Sequence, residues 1–199
     1  MANRSYLYSL DFDINKEKRN EGKKVCGLSE WPYDIPLAYK ILMSQESKLS
    51  KSIIWETDEK IAILGNFYKG RERLFSFLDK LLKMNLLDKN ELESQILEAK
   101  EYLNDSKHEN KYIILECGEI FEMNEDELEN QNKFLYEDIL KIDVAINNFI
   151  EEIKKPLNKD HYDVKKLINR NKLSIEKAVN TVKLNLLGIA FWSDVLYYG

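Results

Sequence analysis

The stretch YIILECGEIFEM, Tyr112 to Met123, sets three glutamates and a cysteine inside an apolar run. Read as a flat strand, its odd positions Ile113, Leu115, Cys117, Phe121 and Met123 form an apolar face interrupted by Glu119. An unpaired carboxylate on such a face costs several kcal/mol. Gly118 offers relief, because a bulge there would bring Glu116 and Glu119 onto one face, about 7 Å apart by strand rise. Two carboxylates so placed could act as general acid and base or hold a divalent cation, the chemistry of a hydrolase, with Glu30 of the SEWPYD segment as a third member. The competing reading is a solvated or ion-paired strand end facing lysines. Nothing else in the chain supplies a nucleophile, an oxyanion hole or a phosphate cradle, and that weights the structural reading over the catalytic one.

Other reactive side chains are sparse. Asp11 and Asp13 share one face of a first strand and could complete a metal site with Glu116, although the polar face of an edge strand explains them more simply. Cys117 has apolar neighbours and reads as a buried, inert thiol, while Cys26 sits near Lys23 and Lys24 without a nucleophile motif. With two distant cysteines and only His108 and His161, a disulfide framework, a zinc site and a His triad are all poorly supplied. No cofactor and no metal ligand set is expected.

The elements that must position these residues follow from periodicity. Tyr6, Tyr8, Leu10, Phe12 and Ile14 alternate with Leu7, Ser9, Asp11 and Asp13, which predicts a strand over about 5–14; residues 15–25 read as a polar loop. A short helix is expected from about Ile35 to Met43 with Asp34 as N-cap, and a strand near 60–65 ending at Gly65. Leu74, Leu78 and Leu81 form a helical stripe flanked by Phe75 and Leu82. Asp88 and Glu91 make a capping box before Leu92, Ile96, Ala99 and Leu103, and Asn124 with Glu127 repeats that logic. Leu135, Ile139, Ile142, Ile146, Phe149 and Ile153 then predict one long helix from about Glu125 to Lys155, stopped by Pro156. A last helix starts after Ser174 and runs through Gly188 into an apolar end.

With 44% hydrophobic residues, seven glycines and three prolines in 199, long helices are favoured over a turn-rich sandwich. The expected fold is α+β and predominantly helical, a small sheet with strands near 5–14, 60–65 and 111–123 packed with long amphipathic helices, in one compact domain over 1–199. The opening MANRSYLYSL lacks the pattern of a secretory leader, and no apolar run is long enough to span a membrane, so a cytoplasmic protein is expected.

Charge is the strongest functional hint. The whole chain carries −5, yet Glu116 to Glu152 holds twelve acidic residues against Lys133 and Lys141, a net of −10. The basic run that follows, Lys154 to Lys172 with Tyr162, reads as its neutralising counterpart. It lacks any nucleic-acid-binding motif, and the acidic total would repel phosphates.

MANRSYLYS, GLSEWPYDIPLAYKILMS, ILECGEIFEM and GIAFWSDVLYY together cover nearly the whole chain. In these segments the sequence resembles a family of uncharacterised bacterial proteins of similar length that share this opening and a WSDVLYY ending. Such proteins are associated with immunity against contact-dependent toxins. The resemblance implies an interaction protein, monomeric or weakly dimeric, that neutralises a basic toxin domain by direct binding. An acidic surface suits that role, and Glu125, Asp126, Glu127, Glu129, Glu137 and Asp138 are the expected contacts. The alternatives are a metal-dependent or carboxylate-based hydrolase using Glu116 and Glu119, and a regulatory module that takes a peptide or protein near Trp31, Tyr33 and Asp34, read as loop residues.

Overall fold

The computed structural model describes residues 3–17, 22–157 and 160–196. Among them are five strands, β1 Arg4–Leu10, β2 Val25–Pro32, β3 Lys48–Ser50, β4 Ala62–Asn66 and β5 Tyr112–Glu116. They form one antiparallel sheet in the order β2-β1-β5-β4-β3. Eight helices accompany it: α1 Leu37–Leu42, α2 Phe67–Met84, α3 Lys89–Asn104, α4 Gly118–Phe121, α5 Leu128–Leu140, α6 Ile142–Lys154, α7 Tyr162–Asn171 and α8 Ile175–Leu187. The fold is therefore α+β with helix dominant.

Both faces of the sheet are buried, each by different material. Leu7, Leu28, Ile63, Ile113 and Leu115 meet the apolar stripes of the helices in the main core, including Leu74, Leu78 and Leu81 of α2. Tyr6, Tyr8, Leu10, Ala62, Leu64 and Ile114 face the other way, under Phe12, Leu196 and the partly buried Ile53 and Ile54. The strict alternation in β1 thus separates two apolar layers instead of core from solvent.

Several expected boundaries move. β1 ends at Leu10, and Asp11 to Glu17 fold into a turn in which Lys16 N and Glu17 N donate to Asp13 O. The expected loop at 15–25 falls partly on residues 18–21, outside the described residues, and its end at Val25 already belongs to β2. That strand has weak propensity, with Gly27, Ser29 and Glu30. Its polar groups are satisfied from outside the ladder, since Tyr39 Oη donates to Ser29 Oγ at 2.7 Å and Ser29 Oγ donates to Phe191 O at 2.9 Å. A bulge does occur in the sheet, but in β2 opposite Leu7 and Tyr8, not at Gly118.

Capping is redistributed by tertiary contacts. Pro36 stands at the N-cap of α1, and Asp34 Oδ1 accepts from Ile35 N instead. Asp88 caps α3 as expected, accepting from Glu91 N at 2.9 Å, but Glu91 does not reach back. Asn180 of α8 takes that place, accepting from Asp88 N at 2.8 Å and donating to Glu91 at 2.6 Å. Glu127, without a side-chain cap bond, precedes α5, while Asn124 donates to Gln131.

The single long helix expected over 125–155 is two. Lys141, at φ −102 and ψ 31, separates α5 from α6, with Lys141 N bonded to Asp138 O and Val144 N to Lys141 O in a tightened turn. α5 packs on β3 and β4 whereas α6 packs on α1 and α8, so the chain bends to follow two surfaces. The longest helix is α2, at 18 residues. The apolar stripe survives the bend, with Leu135, Ile139, Ile142, Phe149 and Ile153 buried and Ile146 partly so. Ile142 is 5% exposed at the bend, so Ile142→Asp should cost about 3–5 kcal/mol and lower the melting temperature by roughly 10 °C. An unchanged melting curve would contradict this packing.

α8 stops at Leu187 because Gly188 adopts the left-handed conformation, φ 70, and a Cβ there would run into the Pro36 ring. The following residues extend along β2, where Trp192 bridges Ser29 and Ser193 N donates to Leu28 O.

Candidate functional site

β5 ends at Glu116 because the chain turns into α4, where Phe121 N donates to Cys117 O and Glu122 N to Gly118 O. Gly118 is required for a close approach: a Cβ there would lie 2.6 Å from the Trp55 indole nitrogen. The strand expected through Met123 is thus cut short. Tyr6 touches the surroundings of all three glutamates, although they are placed by different elements: Glu30 by β2, Glu116 by β5 and Glu119 by α4. Tyr6 is the sheet neighbour of both Glu30 and Glu116, and its hydroxyl donates to Glu119 Oε2 at 3.1 Å.

Each carboxylate is committed to the fold. Glu116 is fully buried, accepting from Ser52 Oγ and from Ile53 N, both at 2.7 Å. Ser52 Oγ in turn accepts from Ile54 N and Trp55 N, so Glu116 clamps the 52–55 loop onto the sheet. Burial pushes the Glu116 carboxyl up to about 7, against the two hydrogen bonds that favour its ionised form. Glu119 Oε2 also accepts from Arg4 N at 2.8 Å, and Glu30 pairs with Arg4 at 3.2 Å. Burial, then the Glu119 carboxylate, push the Tyr6 phenol far above its ordinary range. Neither Glu116 nor Glu119 lines any of the principal surface grooves.

Asp11 and Asp13 do not join this cluster. They lie past Leu10, at the other end of β1 from Tyr6, where Asp13 pairs with Lys48 and Asp11 accepts from Lys24 N. No group of three or more His, Cys, Asp or Glu side chains among the described residues is placed to hold a metal ion. Cys117 is buried, and burial followed by the Glu116 charge raises its thiol well above the usual range. Cys26 is partly exposed.

The acidic segment is spread over the approach to α5 and along that helix. Glu125, Asp126, Glu127, Glu137 and Asp138 are exposed, and Glu129 is partly covered, 3.8 Å from Lys133. Among the described residues the basic run neutralises only the far end of the acidic segment: Lys154 and Lys155 pair with Glu151 and Glu152 on α6, while Lys165 pairs with Asp160 and α7 packs on α8. Lys154 and Lys155 are satisfied locally by partners three residues back along the chain. Glu125, Asp126, Glu137 and Asp138 consequently make no ion pair among the described residues. Phe134, 66% exposed, lies three and four residues before Glu137 and Asp138 on the outer stripe of α5. Its one sequence signal was being out of phase with the buried stripe at Leu135 and Ile139.

Trp31 lies within β2, not in a loop, and is 7% exposed beneath Phe191, with ring centroids 5.2 Å apart. Tyr33 does stand at the turn after β2, 61% exposed and in the left-handed region at φ 64. Asp34 and Asp138, far apart in sequence, meet across a groove of about 510 Å³ between the β2–α1 turn and the α5–α6 bend.

DUF7822, described as a domain of unknown function, matches residues 14–156, well over half of the chain. The chain belongs to this family. No curated protein and no solved structure matches it. The part matching DUF7822 starts after β1 and ends before α7, yet β1 is a central strand of the sheet and α8 contributes Leu184 and Leu187 to the main core. In this member the DUF7822 match and the residues on both its sides build one core. No helix among the described residues is long and apolar enough to cross a membrane.

Proposed function

We propose that this protein is a non-enzymatic interaction protein of the cytoplasm, an immunity protein that neutralises a basic toxin domain by binding it directly. One observation carries the reading. Glu125, Asp126, Glu137 and Asp138 stand in solvent without ion-pair partners among the described residues, and the exposed Phe134 lies one helical turn before Glu137 and Asp138 on α5. Unpaired like charges repel one another, whereas an exposed aromatic beside carboxylates on an acidic surface suits a basic partner, which the charge steers and the ring anchors once water is excluded. The resemblance in MANRSYLYS and WSDVLYY to immunity-associated proteins supports the same role.

The test is complex formation with the basic toxin domain that the protein protects against. The expected result is an equimolar complex whose association rate falls as salt rises. Neutralisation without a complex, or an association rate indifferent to salt, would contradict the proposal.

A further inference from the structure

We infer that the groove between the β2–α1 turn and the α5–α6 bend is the anchor site of this interface, taking an apolar side chain that the partner carries next to a lysine or arginine. This rests on the interaction reading above and gives it a place and a chemistry. The groove, at about 510 Å³, is of the size that holds one or two large side chains. Ile35, Val144 and Leu186 wall it; Val144 is 57% exposed and Leu186 is also exposed, although each sits on a helix whose other face is in the core. Apolar walls left open beside charged rims mark a binding surface.

The walls are fixed before any partner arrives. Gly188 is pressed against Pro36, Ser5 Oγ donates to Asp34 O at 2.7 Å, and Tyr33 N donates to Asn3 O at 2.7 Å. Those bonds hold Tyr33 in a left-handed conformation that is strained for a residue with a Cβ, as happens where a turn is shaped for contact. A groove that does not reorganise loses less on binding.

Charge selects the occupant. Asp34 and Asp138 both line the groove without ion pairs among the described residues, and Asp138 follows the exposed Glu137 on α5. Lys40 and Lys141 also face the groove, so a basic group is drawn to the aspartates and away from the lysines, which orients the segment that enters.

The probes are three synthetic helical peptides of equal length: lysine and leucine in amphipathic order, lysine and glutamine, and glutamate and leucine. Each is titrated into the full-length protein while the methyl NMR signals of Ile35, Val144 and Leu186 are followed. The lysine-leucine peptide should shift all three saturably and the other two should not. Val144→Asp and Leu186→Asp, exposed positions whose circular dichroism should match the parent, should each weaken binding at least tenfold, and Asp34→Asn with Asp138→Asn at least fivefold. Shifts confined to residues 122–129 with unchanged affinity in Val144→Asp would overturn the groove while leaving the acidic-surface reading standing. Equal binding of the glutamate-leucine peptide would overturn the charge selection, and the absence of saturable shifts from every peptide would overturn the site altogether.

Discussion

Glu116→Gln should flatten the pH dependence of stability. A carboxyl raised to about 7 in the folded protein, against an ordinary value near 4.5, binds its proton over a range where the unfolded chain has lost it. Folding is therefore favoured at low pH, with the contribution fully present below the unfolded value and lost as pH rises through 7. A shift of this size corresponds to about 3 kcal/mol in total, of which about 2 kcal/mol falls between pH 5.5 and pH 8. Denaturant unfolding of the parent should show that loss as pH is raised, whereas the Gln variant should vary by less than about 1 kcal/mol across the same window. The amide still accepts from Ile53 N, but its N–H atoms face a Ser52 oxygen that already accepts two backbone bonds, so a small penalty independent of pH is expected. A variant that keeps the parental slope would show that the buried carboxyl is not Glu116 in the environment described.

The same residue separates the two chemical readings of the sheet end. Glu116→Gln together with Glu119→Gln should leave partner binding intact, because these groups bond Ser52, Ile53, Arg4 and Tyr6 and line none of the principal grooves. Loss of biological activity in a folded double variant would restore the hydrolase reading.

How far the sequence reaches is clear from particular residues. The period of Leu74, Leu78 and Leu81 and that of Leu135, Ile139 and Ile142 located core faces, because burial of an apolar stripe is a local property of the helix. The bend at Lys141 left no such mark: no proline or glycine announces it, and the stripe keeps its phase through a single irregular residue. β2 was hidden because its polar residues are satisfied by Tyr39 and Phe191, elements that sequence distance conceals. The capping box at Asp88 was half right for the same reason, Asn180 having replaced the local partner. At the candidate site a helical turn at Gly118, not a bulge, follows Glu116, and the two carboxylates take different partners: Glu116 accepts from Ser52 and Ile53, Glu119 from Arg4 and Tyr6. Exposure of Phe134 and the meeting of Asp34 with Asp138 are tertiary facts that no spacing rule contains.

Reversing charge on the acidic surface should have the largest effect on function. Lysine at Glu125, Asp126, Glu137 and Asp138 changes the local charge by eight units at exposed positions, so stability should move by less than about 1 kcal/mol. Association with a basic toxin domain should slow on the order of a hundredfold at low salt, since steering by such a surface raises on-rates by that order. The difference between parent and variant should shrink as ionic strength rises and screening shortens the reach of each charge. Measuring the association rate of both proteins with the toxin domain across a salt series is the most direct test of the account. Curves that diverge at low salt and converge at high salt are predicted; superimposable curves from a folded variant would show that the partner, if bound, is bound elsewhere.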